Sequence, residues 1–312
     1  MSESAGEGAN GFRVLVLGAT GTVGSRVART LAERGYDVVG ATRRPGLQTA
    51  VRAERAGDAT SPPAPRWVEL DLERPETFAP ALEGVRRVFL LARPGDPEPE
   101  RVAAPFVEAM VAAGVEHVAN LTSFGVEERD DIPLRKVELA LEASGLGWTH
   151  LRPNWFMQVF AGPPLLGSIL TEGRIAVPAG DATISWIDAR DVGAVAVEAL
   201  EDPERHGGRA WTLTGGEALG HEAVARAISE ATGRTVRYDP IDDEEARRRV
   251  VEAGLGEARA ERIVGFYRLV RGGACSPVVD HAERVLGRAP RRFDAFAREH
   301  RDRWIPPDSP RP

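Results

Sequence analysis

The sequence predicts an α/β fold in which a doubly wound parallel sheet is followed by a smaller, mostly helical C-terminal lobe. Three observations support this prediction. Short apolar runs alternate with helical patterns from residue 12 to residue 152. A glycine-rich turn directly follows the first apolar run. Beyond residue 152, strand patterns become few and helical periodicity dominates.

The first half of the chain contains six predicted strands and four predicted helices. The strands are 12–17, 37–42, 66–70, 86–91, 117–122 and 147–152. The helices are 22–35, 75–83, 100–114 and 134–144. Ligands of such sheets bind beyond the carboxyl ends of the strands, so we expect the functional residues in the loops that follow them.

The first of these loops has the composition of a phosphate-binding turn. Gly18, Gly21 and Gly24 recur at every third position between the apolar run Val14–Leu17 and a helical pattern. Backbone N–H groups at a helix N-terminus lack intrahelical acceptors and favour a pyrophosphate. Gly18 permits the turn, Gly21 the approach of phosphate, and Gly24 the packing of helix on strand. We therefore predict a Rossmann-like dinucleotide site whose contacts here are Gly18, Thr20, Gly21, Thr22, Val23 and Gly24.

The C-terminal part combines short strands with several helices. Strands are predicted at 174–177, 183–187 and 210–214. Helices are predicted at 188–200, with Asp188 as its cap, and at 220–232, 242–253, 257–271, 279–287 and 291–302. We expect a disordered tail (1–11), a dinucleotide-binding domain (12–152, with contributions from about 183–214) and a substrate-binding lobe (153–182 and 215–304).

Composition and charge restrict the possible partners. The chain has 312 residues, enough for one large domain and a smaller lobe, and a net charge of −7, which does not suggest binding to nucleic acid or anionic membranes. No apolar run reaches the roughly 18 residues of a membrane span. The single cysteine, Cys275, excludes an intramolecular disulfide. We expect a cytoplasmic monomer or homodimer that binds a small molecule, with no nucleic acid and no membrane.

The end of the second predicted strand indicates which dinucleotide binds. An acidic residue there would bind a ribose 2′-hydroxyl and favour NAD. This chain has no acid there and instead has Arg43 and Arg44, whose guanidinium groups match the 2′-phosphate of NADP(H). Asp71, after the third strand, is placed to meet the adenine amine, or alternatively to cap the helix near residue 75. The loops after the later strands complete the predicted site with Leu91, Ala92, Arg93, Thr122, Pro153 and Asn154.

Several motifs together resemble one known family. They are Gly18–Gly24, Asp71–Leu72, Leu121–Gly125, Glu142–Gly145, Leu151–Gln158, Val177–Asp181 and Trp186–Val192. Over about residues 12–302 the chain resembles the NmrA-like family, an atypical branch of the short-chain dehydrogenase/reductases. It is most similar to the bacterial NAD(P)-binding oxidoreductases of that branch, including quinone reductases, and to ergot-alkaloid-type reductases. The resemblance implies a reductase, often within bacterial secondary metabolism.

The catalytic pair of the tyrosine-dependent branch is absent. That branch uses Tyr-x-x-x-Lys on one helix face, but the residue four positions before Lys136 is Ile132. We predict Ser123 and Lys136, the only lysine, as the remaining catalytic groups. Ser123 could bind a substrate carbonyl or cap the next turn. Our alignment puts the family's Lys or His at Leu134, and a shift of two positions moves a side chain to another helix face.

The substrate and metal predictions are less specific. Trp155 and Phe156 are predicted to form an aromatic wall for a planar, conjugated substrate, although a core position is the alternative for one or both of them. The six histidines have no paired ligand spacing, so we expect no metal. They are His117, His150, His206, His221, His281 and His300.

Three functions are compatible with this sequence. The first is an NADP(H)-dependent oxidoreductase that reduces a planar conjugated carbonyl, quinone or imine. The second is a redox-neutral biosynthetic enzyme, such as a cyclase, dehydratase or epimerase, that keeps NADP(H) bound. The third is a non-catalytic, NADP-sensing regulatory protein, because the fold alone does not determine activity. We favour the first.

Overall fold

The chain folds into two compact units. The described residues of Met1–Pro153 and Val192–Thr212 form one unit, and those of Asn154–Asp191 and Leu213–Pro312 form the other. The computed structural model describes residues 11–44, 65–92 and 95–306. The predicted tail before residue 11 and the predicted cofactor contact Arg93 therefore lie outside the described residues.

Strands and helices alternate along the first unit, as predicted. In chain order the strands are β1 (Arg13–Val16), β2 (Asp37–Thr42), β3 (Arg66–Glu69), β4 (Val85–Leu91), β5 (His117–Leu121), β6 (Gly147–Pro153), β7 (Arg174–Val177), β8 (Thr183–Ile184), β9 (Arg209–Leu213), β10 (Leu219–Gly220) and β11 (Arg237–Pro240). The described helices before β6 are α1 (Gly24–Glu33), α2 (Phe78–Leu82), α3 (Pro99–Ala112) and α4 (Pro133–Ala143). Short 3₁₀ turns occur at Pro75–Thr77 and Val126–Glu128.

The main sheet has seven strands in the order β3-β2-β1-β4-β5-β6-β9. Neighbouring strands from β3 through β6 pair in parallel, for example Val14 with Val38. The strand order reverses at β1, which lies between β2 and β4. Such a reversal opens a crevice at the carboxyl ends of the two central strands, where ligands bind. The predicted doubly wound sheet is thus confirmed.

The later helices are mostly those that the sequence predicts. They are α5 (Leu166–Glu172), α6 (Ala189–Glu201), α7 (Pro203–His206), α8 (His221–Thr232), α9 (Asp243–Glu252), α10 (Glu257–Arg271), α11 (His281–Leu286) and α12 (Phe293–His300), with 3₁₀ turns at Met157–Val159 and Arg301–Trp304. Asp188 caps α6 as predicted, because its Oδ1 accepts the Arg190 N–H at 2.8 Å.

Some predictions for the second unit were wrong. The strand expected at 183–187 ends at Ile184, because the Ser185 N–H turns away to the Cys275 carbonyl, 3.0 Å away. Helix α5 and strands β10 and β11 were missed. Strand β11 reads Arg-Tyr-Asp-Pro, without apolar alternation, and forms because it pairs with β7 some 60 residues earlier.

Each unit has its own apolar core. In the first unit, strand residues such as Leu15 and Leu90 pack with Phe106 of α3. In the second unit, Trp186 and Phe293 belong to a separate buried cluster. Among the described helices, none combines the length and the apolar composition that crossing a bilayer requires.

Candidate functional site

The glycine turn after β1 has the backbone geometry that the sequence predicts. Gly18 has φ +62°, in the left-handed region that favours glycine. The Gly21 N–H donates to the Gly18 carbonyl at 2.8 Å and closes the turn. A Cβ at Gly24 would lie 2.3 Å from the Gly18 carbonyl oxygen, so only glycine allows α1 to start this close to β1. The structural roles predicted for Gly18 and Gly24 are confirmed.

The N-terminus of α1 is left open to a ligand. No side chain caps this helix, and its first turn contains no acidic residue. Within the described residues, the backbone N–H groups of Thr22, Val23 and Gly24 have no protein acceptor. Unpaired donors at the positive end of a helix dipole form an anion-binding site.

A cleft of about 760 Å³ opens beside this turn, within the first unit. Its wall combines polar groups with an apolar strip formed by Leu17, Ala41, Leu70, Leu72 and Val102. Seven residues predicted to bind the cofactor line it together: Gly18, Thr20, Arg43, Arg44, Asp71, Leu91 and Ala92. The structure therefore brings the ends of β1, β2 and β4 and the residues just after β3 to one site.

The two arginine side chains that line this cleft are available to bind an anionic ligand. Arg43 and Arg44 are exposed, and neither guanidinium forms an ion pair with any residue that the structure describes. Asp71 does not cap the helix near residue 75; its Oδ1 accepts the Glu73 N–H at 3.1 Å, in a turn of its own. The alternative role predicted for Asp71 was therefore wrong, because Thr77 meets the Asp71 backbone instead.

The loop after β5 is fixed against β6. The Thr122 hydroxyl is buried and donates to Glu138 Oε1 at 2.8 Å, so a bound cofactor would have to compete for it. The Phe124 N–H donates to the Pro153 carbonyl at 2.9 Å. Ser123, between them, is half-buried. The predicted cofactor contacts of Thr122 and Pro153 and the predicted catalytic role of Ser123 stay predictions.

Lys136 lies in the first turns of α4 and forms an ion pair. Its Nζ donates to Glu100 Oε1 at 2.9 Å, which joins α4 to α3. The hydrogen bond to Glu100 raises the pKa of Lys136 above its ordinary value. A side chain with a raised pKa is a weaker acid, so a proton-donor role for Lys136 gains nothing from this geometry.

The sequence analysis missed a buried carboxylate on α4. Glu138 is 0% exposed and accepts hydrogen bonds from Thr122, Arg152 and Arg135. Burial opposes its ionisation, but these bonds, led by that of Arg152, outweigh burial and lower the pKa of Glu138. The available signal was its place beside Val137 and one turn before Leu141, on the apolar face of the helix.

Glu138, Glu142 and His150 place one potential metal-ligand atom each within 4.8 Å of one another. Histidine spacing in the sequence gave no sign of this grouping. Arg135 and Arg152 already bind the two carboxylates and supply the compensating positive charge. Burial lowers the pKa of His150 to about 4. The cluster is thus a compensated ion-pair network, in which a divalent cation would face two guanidinium groups.

The remaining predicted site residues belong to the second unit. The Asn154 side-chain amide donates to Ser185 Oγ (2.7 Å) and the Cys275 carbonyl (2.8 Å), so its predicted contact with a cofactor stays a prediction. Trp155 is half-buried, with its ring centroid 5.3 Å from that of Tyr267. Phe156 forms an isolated bridge with Ile187.

Comparison with known proteins identifies the family. Residues 11–272 match the model of the NmrA-like family. The chain belongs to the NmrA-like family. A solved structure with this fold is triphenylmethane reductase of Citrobacter sp., complexed with NADP(H). It matches with a TM-score of 0.77 and 23% identity, covering 93% of this chain and 100% of the reductase.

Among the relatives of this NmrA-like chain that exceed 30% identity across nearly their whole length, two are named for a specific reduction. NAD(P)H azoreductase of Xenophilus azovorans is 33% identical, and the match covers 92% of this chain and 97% of the relative. (4-Alkanoyl-5-oxo-2,5-dihydrofuran-3-yl)methyl phosphate reductase of Streptomyces griseus is 34% identical, covering 94% and 99%. Both are named as reductases, which confirms the predicted class: the chain is an oxidoreductase of the atypical short-chain dehydrogenase/reductase type.

Proposed function

We propose that the chain is an NADPH-dependent reductase whose acceptor is a planar conjugated carbonyl, quinone or imine. One observation carries the choice of cofactor. Two exposed arginines, Arg43 and Arg44, line the same cleft as the glycine turn and have no ion-pair partner among the described residues. Guanidinium groups without a protein partner match a phosphate ester.

The residues of the cleft and the neighbouring start of α1 fit three groups of NADPH: the pyrophosphate, the 2′-phosphate and the adenine. Unpaired N–H groups at the start of α1 would bind the pyrophosphate. Arg43 and Arg44 would bind the 2′-phosphate, and Asp71 the adenine amine, beside apolar Leu72. When bound, the dinucleotide supplies a hydride to the acceptor.

The residues predicted to contact the acceptor indicate its chemical class. The chain has no tyrosine four residues before Lys136, so Ser123 and Lys136 are the candidate groups that polarise or protonate the acceptor. Acceptors such as quinones and iminium ions need little acid assistance. Trp155 and Phe156 would supply a flat apolar surface. The two relatives named as reductases support a reduction, and bacterial secondary metabolism is part of this proposal through the family resemblance.

Calorimetric titration with NADPH, NADP⁺, NADH and NAD⁺ tests the cofactor. We expect NADPH to bind at least about tenfold more tightly than NADH, because it adds charge-assisted hydrogen bonds. Arg43→Ala should lose most of that preference. Arg29→Ala is the matched control, since Arg29 is exposed on α1 and does not line the cleft. Equal affinity for NADPH and NADH would contradict the assignment to NADP(H).

Turnover with a panel of quinones, enones, imines and azo compounds tests the reaction. We expect NADPH oxidation that depends on at least one of these acceptors. Product formation without net NADPH loss would instead indicate the redox-neutral alternative. Tight NADPH binding with no turnover of any acceptor would favour the regulatory alternative.

A further inference from the structure

Glu138 joins three elements of the first unit through one carboxylate. Its Oε1 accepts hydrogen bonds from the Thr122 hydroxyl (2.8 Å) and Arg152 Nε (3.0 Å). Its Oε2 accepts from Arg152 Nη2 (2.7 Å) and Arg135 Nη1 (2.8 Å). Thr122 directly follows β5, Arg152 is in β6, and Glu138 itself is in α4. Four hydrogen bonds occupy both oxygens, so this carboxylate has little capacity left for another ligand.

Stability alone is a poor explanation for this arrangement. Burying an ion pair costs desolvation free energy, and apolar side chains of similar volume often stabilise a fold equally well. Glu138 lies on the apolar face of α4, between Val137 and Leu141 in the helical period, where a leucine would pack. The network provides something that an apolar residue does not, namely directional bonds to the residue just after β5 and to a side chain of β6.

These bonds act on a short segment beyond the end of β5. The Thr122 N–H donates to the Leu151 carbonyl at 2.8 Å, and the Phe124 N–H donates to the Pro153 carbonyl at 2.9 Å. Ser123 lies between these two anchored residues. The position of Ser123 therefore depends on how Thr122 aligns with β6. Glu138 bonds to the Thr122 side chain and to the Arg152 side chain of β6, so it holds these two segments together.

We propose that Glu138 is a positioning residue that holds Ser123 at the carboxyl end of β5, acting through Thr122 and Arg152. Its importance for catalysis rests on the proposed function, in which Ser123 contacts the acceptor. The positional effect itself does not, because the order of the Thr122–Phe124 backbone can be measured without any substrate.

Hydrogen exchange of Glu138→Gln tests the positional effect. Glutamine has the same shape but lacks the charge that binds both arginines. We expect the Thr122 and Phe124 amides to exchange about tenfold faster or more, as loss of charge-assisted hydrogen bonds implies, while α1 is unchanged. Glu142→Gln is the matched control: Glu142 also binds Arg135 but has no bond to Thr122 or Arg152. Unchanged exchange in Glu138→Gln, or equal acceleration in both variants, would overturn the proposal.

A second pair of variants covers the case in which Glu138→Gln fails to fold. Thr122→Val removes the hydroxyl that donates to Glu138 at 2.8 Å and that also lies 3.3 Å from the Leu151 carbonyl, and Thr122→Ser keeps it. We expect faster exchange at Phe124 in the valine variant and wild-type exchange in the serine variant. Equal exchange in the two would overturn the proposal.

Kinetics then connect the position to the reaction. In Glu138→Gln we expect kcat to fall about tenfold and the Kd of NADPH to change by less than that, since misplacing Ser123 affects the acceptor more than the residues of the cofactor cleft. Faster exchange of the Thr122 and Phe124 amides with an unchanged kcat would overturn the proposed contribution of Glu138 to catalysis. If no acceptor is turned over by the wild-type protein, the proposed function fails while the exchange experiment still decides the positional effect.

Discussion

A Cβ at Gly24 would lie 2.3 Å from the carbonyl oxygen of Gly18 and 2.6 Å from its carbonyl carbon. Both atoms belong to backbone, which cannot move aside as a flexible side chain can. We therefore expect Gly24→Ala to lower the free energy of unfolding by about 1–3 kcal/mol, the usual cost of overpacking.

Gly21→Ala provides the comparison in the same turn. A Cβ there would lie 3.2 Å from the same oxygen, so the turn must move by only a few tenths of an ångström. Urea unfolding of the two variants measures the difference. A loss of stability in Gly21→Ala as large as that in Gly24→Ala would show that general strain in the turn, rather than this particular approach, is responsible.

The predicted role of Lys136 has a specific consequence for pH dependence. The hydrogen bond to Glu100 raises the pKa of Lys136, so the ammonium stays protonated through the neutral range. If Lys136 contributes to the reaction, it does so as a fixed positive charge near the acceptor. We then expect Lys136→Met to lower kcat roughly tenfold or more, and Lys136→Arg to retain most of it.

The pH–rate profile separates this role from proton donation. A fixed charge with a raised pKa adds no titration to the kcat profile between about pH 6 and pH 9. A limb in that range that disappears in Lys136→Met would instead identify Lys136 as the proton donor. Unchanged kcat in Lys136→Met would remove this residue from the list of catalytic groups.

Local patterns were sufficient to predict several of the residues that line the cleft. The turn at Gly18 follows from glycine spacing behind an apolar strand, and Arg43 follows from reading the residues at the end of β2. Both lie next to a strand whose apolar run marks its end within one or two residues. The parallel sheet then brings these strand ends together without further information from the sequence.

Long-range bonds explain what the sequence did not predict. The apolar face of α4 indicates that Glu138 is buried, but its partners Thr122 and Arg152, 16 and 14 residues away, cannot be deduced from the helix itself. The β11 strand forms only because β7 offers a partner. Its own residues, including Arg237 and Pro240, have no strand periodicity. Patterns within one element cannot report pairings between elements.

Three buried histidines make stability depend on pH. Burial lowers the pKa of His117, His150 and His221 from 6.5 to about 4 in each case. Between these values the unfolded chain binds protons that the folded chain does not, so stability falls as pH decreases from about 7 toward 4. Each histidine contributes a slope of at most about 1.4 kcal/mol per pH unit.

His221→Phe isolates one of these contributions. His221 is 1% exposed, neither ring nitrogen has a hydrogen-bond partner among the described residues, and the ring stacks on Tyr238 at 5.3 Å. Phenylalanine keeps the aromatic contact and cannot be protonated. We expect the variant to lose less stability than the wild type when urea unfolding is compared at pH 7.5 and about pH 5. An equal loss of stability in the two proteins would show that His221 takes up no additional proton when the chain unfolds, so that its pKa is not lowered in the folded state.

The buried carboxylate of Asp191, in the second unit, is expected to contribute more to stability than an exposed carboxylate. It is 0% exposed, and its carboxylate accepts from Arg288 Nη2 (2.7 Å), from the Arg291 N–H (2.7 Å) and from the Arg291 guanidinium. Asp191→Asn keeps the shape but leaves two guanidinium groups without their counter-charge. We expect it to lower the free energy of unfolding by about 1–3 kcal/mol, below the usual cost of breaking a fully buried ion pair, because both arginines are partly exposed.

The control is Asp302→Asn, which removes a charge paired with Arg301 at 3.5 Å on an 81% exposed side chain. Water already solvates that carboxylate, so we expect a change within about 0.5 kcal/mol. Urea unfolding at neutral pH measures both variants. A small effect in Asp191→Asn would mean that the water already in contact with Arg288 and Arg291, which are 43% and 34% exposed, replaces the lost carboxylate.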